Sequence, residues 1–363
     1  MPLAPSIETR RRIGRSAADG AADQAPVRPG GRSRRRYGLD LVGLALALLG
    51  AGILSAVAGA GAAERATPAR IGVLSLSTEL PPTAAGLRAG LRSLGYREDE
   101  HFVLDVRFAN GDAGALSAAA QALVQQGVDL IFASEGPPAL AARQATAEIP
   151  IVFAGVGEPL GLGLVESFAR PGGNVTGIAD RDVELAPKRL DLFRRMVRGL
   201  KRVLYLHDVG DSYGQKTARA YRTAARELGL ELVDREVRTE QEVHDALGKF
   251  QGGTGQGILA PSSAQLNILA HVLEASSQRG VPTMGEDAMW IDLGGLASYG
   301  PDTFGAGRQA ARLVDRILKG ARPAELPVEV SSKAEFVISL GAARTLRLIV
   351  PADVLYRADR LAK

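Results

Sequence analysis

From Arg70 onward the chain repeats one local pattern, and that pattern restricts its fold more than any other feature. A short apolar run of strand length is followed by a stretch whose apolar residues recur at helical spacing. Ile71-Gly72-Val73-Leu74 is apolar without alternation, as expected of a strand covered on both faces. Pro81 and Pro82 then open a helix in which Leu87, Leu91 and Leu94 share one side, and Gly95 closes it. Phe102–Phe108 reads as a second strand, and Leu116, Ala119, Ala120, Leu123 and Val124 mark the next helical stripe. Strands are expected at 129–133, 151–154 and 175–178, with a helix near 138–147.

A second cycle begins at Arg202. Strands are expected at 203–206, 230–237, 258–260, 282–284 and 296–299, and helices at 213–228, 240–250, 266–279 and 304–319. Strand–helix alternation favours parallel sheets with right-handed crossovers. The 363 residues suffice for two domains of ordinary size. The expected fold class is therefore α/β, with two Rossmann-like lobes joined by a hinge. Ligands in such sheets bind beyond the carboxyl ends of the strands, so two lobes facing across that edge enclose a cleft.

The first 63 residues follow different rules. They hold nine arginines, no lysine and four acids, for a net charge of +5; the remaining 35 basic and 36 acidic residues nearly cancel. The basic character belongs to this segment, and the folded part shows no basic stripe that would suggest nucleic acid. Arg34-Arg35-Arg36 precedes an apolar run from Leu39 to Val57, interrupted by Asp40 near its start, and small residues Ala58–Ala63 follow. That order of positive flank, apolar core and A-x-A site is an export signal, with cleavage expected after Ala60, Ala62 or Ala63. Ser33-Arg34-Arg35-Arg36-Tyr37-Gly38-Leu39 also has the form of a twin-arginine motif, with Gly38 where an apolar residue is usual. The alternative is a retained anchor, since the run is about as long as a bilayer requires. Export delivers the protein to the periplasm; an anchor would hold it at the inner membrane, facing the same compartment.

Several chemistries are excluded by residue type. The chain has no cysteine, hence no disulfide, thiolate metal site or cysteine nucleophile. Its four histidines, at 101, 207, 244 and 271, show no metal-ligand spacing. No metal and no cofactor is expected. Gly210-Asp211-Ser212-Tyr213-Gly214 matches the G-x-S-x-G nucleophile elbow between a strand and a helix. The competing reading is a helix start in which Ser212 is the N-cap and Gln215 completes a capping box. A serine hydrolase would also need a histidine downstream, and only His244 and His271 follow, both in expected helices. The stretch Gly210–Thr217 departs from a P-loop because Gln215 separates Gly214 from Lys216.

Polar residues just after strand ends remain as the candidate site. In the first lobe these are Ser75, Ser77, Thr78, Ser134, Glu135 and Glu158, with Gly155 beside them; in the second, Asp208, Tyr213, Ser262 and Ser263. Glu286, Asp287 and Tyr299 lie near the return to the first lobe. Hydroxyls, carboxylates and helix N-termini of this kind suit a small uncharged-to-zwitterionic solute, and the carboxylates suit an amine.

Five separated segments, in order, resemble the ABC transporter substrate-binding proteins of the tryptophan/tyrosine type. They are Ile149-Pro150-Ile151-Val152-Phe153, Ser167–Gly177, Leu185-Ala186-Pro187-Lys188-Arg189-Leu190, Gly294–Pro301, and Ile317–Pro323 leading to Leu326-Pro327-Val328-Glu329. The resemblance implies a type I periplasmic-binding-protein fold. The first lobe would run over 64–179, completed by about 286–325, the second over 180–285, and a C-terminal segment over 326–363. Hinges are expected at 179–183, 285–290 and 301–304. The resemblance also implies a monomeric, non-enzymatic receptor that presents a small-molecule solute to the membrane permease of an ABC importer. Glu135-Gly136 stands where members often carry a small polar pair.

Overall fold

The computed structural model of the protein describes residues 67–112, 114–250, 255–261 and 268–363. The expected export signal and the loop with Ser262 and Ser263 lie outside the described residues.

Strands and helices alternate as expected. The first cycle contains β1 (Ala69–Ser75), α1 (Pro82–Ser93), β2 (Phe102–Phe108), α2 (Ala115–Gln125), β3 (Leu130–Ser134), α3 (Gly136–Ala145), β4 (Ile151–Val156) and β5 (Val175–Ala179). The second contains α4 (Asp182–Met196), β6 (Arg202–Asp208), α5 (Ser212–Leu228), β7 (Glu231–Val237), α6 (Glu240–Gly248), β8 (Gln256–Ala260), α7 (Ile268–Arg279), β9 (Thr283–Gly285), α8 (Met289–Asp292) and β10 (Ala297–Pro301). Then follow α9 (Thr303–Leu318), β11 (Glu329–Val330), β12 (Ala334–Ser339), α10 (Leu340–Thr345), α11 (Ala352–Leu355) and β13 (Arg360–Ala362).

These strands form two sheets. The first, in spatial order β11-β5-β4-β3-β1-β2, is parallel throughout. The second, β13-β12-β10-β9-β8-β6-β7, is parallel except where β12 runs antiparallel to β10, with Ala297 opposite Ile338 and Pro301 opposite Ala334. In each sheet the first strand of the cycle is flanked by the next two: β1 by β2 and β3, β6 by β7 and β8. Both switch points of winding, where α/β sheets open a crevice at their carboxyl edge, are therefore fixed by the chain order.

Successive residues of β1 serve different cores, as strand geometry requires. Ile71 and Val73 join Leu87, Leu91, Val314 and Ile317 on one face, and Leu74 joins Leu116, Ile131 and Phe153 on the other. Helix α9 returns to the first sheet and packs on α1, β4 and β5. Glycine allows that close approach. A Cβ on Gly86 would sit 2.0 Å from the Phe304 carbonyl oxygen, and one on Gly307 would sit 1.8 Å from that of Thr83.

The structure differs from the sequence-based expectation in three places. Helix α4 was not anticipated because Pro187 lies inside it; proline removes one helical donor. Its buried residues Ala186, Leu190 and Phe193, at i, i+4 and i+7, hold it against the second lobe. The return to the first lobe begins at α9 and not near 286, since β10 still belongs to the second sheet. The C-terminal residues are shared: β11 extends the first sheet, while β12 and β13 extend the second. The chain thus passes between the sheets at 180–181, at 302 and at 331–333. The stretch 285–290 connects elements of one sheet.

Candidate functional site

At the carboxyl edge of the first sheet, the hydroxyls serve local structure first. Ser75 is buried, and its Oγ accepts the Ser77 N–H at 3.1 Å; Ser77 Oγ accepts the Glu79 N–H at 3.1 Å. Thr78 is exposed on the same turn. Ser134 is buried with its Oγ 2.8 Å from Thr83 Oγ1, tying the end of β3 to the start of α1. Glu135 follows with φ +75°, a conformation uncommon for a residue with a side chain. Gly155 occupies a bulge between β4 and β5 with φ +79°. A Cβ there would lie 3.8 Å from Asp180 Oδ2 and 3.9 Å from both Glu135 Cγ and Thr83 Cγ2. Three strand ends therefore bring Glu135, Gly155 and Asp180 together.

A second group adjoins them. Arg189 of α4 is completely buried. Its guanidinium pairs with Asp182, donates to Tyr221 Oη at 2.7 Å, and reaches Glu286 Oε1 at 3.5 Å. Its Nε donates to the Tyr299 carbonyl at 2.5 Å. A buried charge requires such pairing. Glu286 is held beside β10 because Gly300 lacks a side chain; a Cβ there would lie 1.7 Å from the Glu286 carbonyl oxygen. Asp287 Oδ1 accepts the Met289 N–H at 2.6 Å.

Five carboxyl groups, Glu135, Asp180, Asp182, Glu286 and Asp287, thus share one region with a single paired arginine. Their electrostatics show the crowding. Glu135 is exposed at its surface, yet the surrounding protein desolvates it, and with Asp287 near, its pKa rises to about 7. Burial, then Asp287 and Glu135, raise Asp180 to about 7. At Asp182 burial outweighs the pull of Arg189, Glu286 and Asp180 add to it, and the pKa reaches about 8. Asp287 is raised by burial against the opposing Met289 amide. Asp180 Oδ1 and Asp182 Oδ2 are buried without a hydrogen-bond partner.

The second sheet's edge closes over this group. Asp208 Oδ1 accepts the Gly210 N–H at 2.6 Å, which shapes the turn after β6. Tyr213 packs its ring on the backbone at Gly157, in the loop after β4. Burial, then the charges of Asp182, Glu286 and Asp180, push its hydroxyl well above the ordinary tyrosine value. One turn further along α5, Lys216 forms an ion pair with Glu158. Tyr299 contributes its carbonyl to Arg189, while its ring meets Phe336 edge-on at 6.2 Å. Surface depressions of about 310 and 340 Å³ lie around Tyr299, Phe336 and Asp359 and around Phe304, Lys333 and Asp359. Neither is lined by the carboxyl cluster.

The G-x-S-x-G segment is a helix start. The cap is Asp211 and not Ser212: Asp211 Oδ1 accepts the Tyr213 N–H at 3.0 Å. Gln215 donates instead to the Val209 carbonyl at 2.8 Å. The second lobe's histidines are engaged elsewhere. His207 Nε2 lies 3.0 Å from Asp234, and His244 and His271 pack together with ring centroids 4.2 Å apart.

Sequence reasoning missed Thr83, Gly157, Asp180, Asp182, Arg189 and Lys216. Asp180 directly follows β5, so the strand-end rule applied to that strand would have found it. Arg189 sits in the middle of a helix, where no local signal separates a buried arginine from a solvated one.

Two α/β layers whose loops meet at their carboxyl edges, with polar groups from both around the junction, define a two-lobed solute receptor. The chain belongs to the ABC transporter substrate-binding protein family, whose model matches residues 78–362. A tyrosine-binding protein of Clostridioides difficile is 24% identical over 261 residues, which is 72% of this chain and 75% of that protein. A conserved domain protein of Vibrio cholerae is 27% identical with a TM-score of 0.70, covering 81% of this chain and 99% of that one. A Streptococcus pneumoniae domain solved in complex with L-Trp is 25% identical with a TM-score of 0.70, covering 81% of this chain and all of that one (100%). These neighbours share the type I periplasmic-binding-protein fold. The family is one of binding proteins, in general without enzymatic activity. Among the described residues, no helix is long and apolar enough to cross a membrane.

Proposed function

We propose that this protein is the periplasmic receptor of an ABC import system, and that it holds a small amine-bearing solute between its lobes without transforming it. The observation that carries this reading is the gathering of Glu135, Asp180, Asp182, Glu286 and Asp287 where the two sheets' carboxyl edges meet. A protonated amine neutralises such a group and satisfies carboxylate oxygens that otherwise lack partners. The tyrosine-binding relative and the neighbour holding L-Trp support an amine-bearing solute.

Under this reading the first lobe comprises the first sheet with α9, and the second comprises the other sheet with α4. Closure would hinge at 180–181, 302 and 331–333. A solute that contacts both lobes favours the closed form, which is the form a permease must distinguish. The protein acts as a monomer, after export by its N-terminal segment.

A thermal-shift screen of the purified protein with amino acids, amines, sugars and nucleosides tests the reading. A solute at a hundred times its Kd stabilises by about 2.7 kcal/mol through mass action. A clear rise in Tm with an amine-bearing compound is expected. No rise with any class would refute the receptor role.

A further inference from the structure

The first lobe offers little to hold a carboxylate. In α/β receptors the N-termini of helices that open on the cleft supply anion-binding N–H groups. Here prolines remove or displace those donors. Helix α3 begins Gly136-Pro137-Pro138, so its second and third positions have no N–H. Helix α1 begins at Pro82, which has no N–H, and the Ala84 N–H turns back to the Pro81 carbonyl at 2.9 Å; the Ala85 N–H makes the regular helical bond to the same oxygen at 3.0 Å. A carboxylate, Glu135, precedes α3 directly, in a strained backbone conformation.

Two cations near the site are already committed. Arg189 is bound to Asp182, Glu286 and Tyr221, and Lys216 to Glu158. Against this, Asp182 is only 5% exposed and its Oδ2 has no partner, and neither has the buried Oδ1 of Asp180. Those two oxygens are independent of the cluster's mere composition: each is a buried acceptor still lacking a donor.

We infer that the solute is a cation without a carboxylate, a primary amine or diamine, and not the zwitterionic amino acid itself. The inference rests on the receptor reading and narrows it. An amino acid's ammonium would suit Asp180 and Glu135, but its carboxylate would enter beside several acids, with proline in place of first-turn donors at Pro82, Pro137 and Pro138. Like-charge contact of that kind disfavours binding strongly.

Isothermal titration of the purified protein with tyramine, tryptamine and putrescine, beside L-tyrosine and L-tryptophan, tests this. At least one amine is expected to bind tenfold or more tightly than the amino acids. Asp180→Asn is expected to weaken that amine at least tenfold. Glu135→Ser combined with Pro138→Ala is expected to narrow the preference by admitting the carboxylate. If an amino acid binds as tightly as the amines or more so, the inference fails while the receptor reading stands. If no solute of any class binds, both fall together. A folded Asp180→Asn variant, verified by circular dichroism, with unchanged amine affinity would also overturn it.

Discussion

Gly157 and Tyr213 meet across the two lobes with no space between them. A Cβ on Gly157 would lie 2.4 Å from Tyr213 Cε2 and 2.8 Å from Cζ. The ring edge rests on the backbone, so closure depends on the missing side chain. Gly157→Ala would wedge the lobes apart. Overpacking of this kind costs about 1–3 kcal/mol, which corresponds to roughly a tenfold to hundredfold loss of affinity for any solute that stabilises the wild type. Small-angle scattering should show a larger radius of gyration. Adding Tyr213→Ala should restore compactness, and an unaltered affinity in the single variant would refute the wedge.

The carboxyl cluster makes the ligand-free protein sensitive to alkali. Unfolded carboxyls ionise at about 4, whereas in the fold Glu135 and Asp180 ionise at about 7 and Asp182 at about 8. The unfolded state therefore loses these protons first. Stability declines as pH rises across that interval and levels off above it. His207 contributes with the same sign: burial opposes its protonation, but the Asp234 contact outweighs burial and raises its pKa, so its stabilising proton is also lost as pH rises. The informative comparison is with Asp180→Asn, whose Tm should fall less steeply between pH 5 and pH 8. Parallel curves for the two proteins would remove Asp180 from the account.

Arg189 should be among the most costly side chains to remove. It is fully buried and paired with Asp182 and Glu286. Truncation to Ala removes the ion-pair partner of both acids, Glu286 keeping the Tyr221 hydroxyl at 3.3 Å, at a cost of about 3–5 kcal/mol. Lysine keeps the charge but lacks the planar fork that reaches Tyr221 and the Tyr299 carbonyl together. Urea unfolding should rank wild type above Arg189→Lys, and that above Arg189→Ala. Equal stability of all three would show that the network contributes nothing.

The regular part of the fold was legible because local pattern and tertiary role agree there. β2 was bounded correctly at Phe102–Phe108, and α5 to within one residue. Helix α4 was not legible: its interior Pro187 reads as a breaker, and only tertiary packing of Leu190 and Phe193 overrides it. After residue 326, β11 and β13 were missed because they have two and three residues and depend on their partners, and the six-residue β12 was missed with them. At the site, strand ends pointed to Ser134, Glu135, Gly155 and Glu286. Several of the residues so marked, Ser75 and Asp208 among them, turn out to bond their own loops. Arg189 and Asp182, seven residues apart, become a pair only when two turns of α4 fold. The contact of Arg189 with Glu286 spans 97 residues and has no local signature.

The loop Gly210–Gly214 separates a cap from a nucleophile by experiment. Asp211 accepts the Tyr213 N–H, so Asp211→Ala should cost about 0.5–2 kcal/mol, as loss of an N-cap does. It should also loosen the start of α5, which carries Tyr213 in its first turn and Lys216 just beyond, and so weaken solute binding. Ser212→Ala should change stability by less than about 0.5 kcal/mol, the usual bound for a substitution away from caps and core. A nucleophile would reverse that order of importance, because Ser212→Ala would then abolish a hydrolytic activity that Asp211→Ala only reduced. Assay of the purified protein with p-nitrophenyl acetate and butyrate decides between them. Turnover that is lost in Ser212→Ala would sink the cap reading and with it the receptor's lack of catalysis.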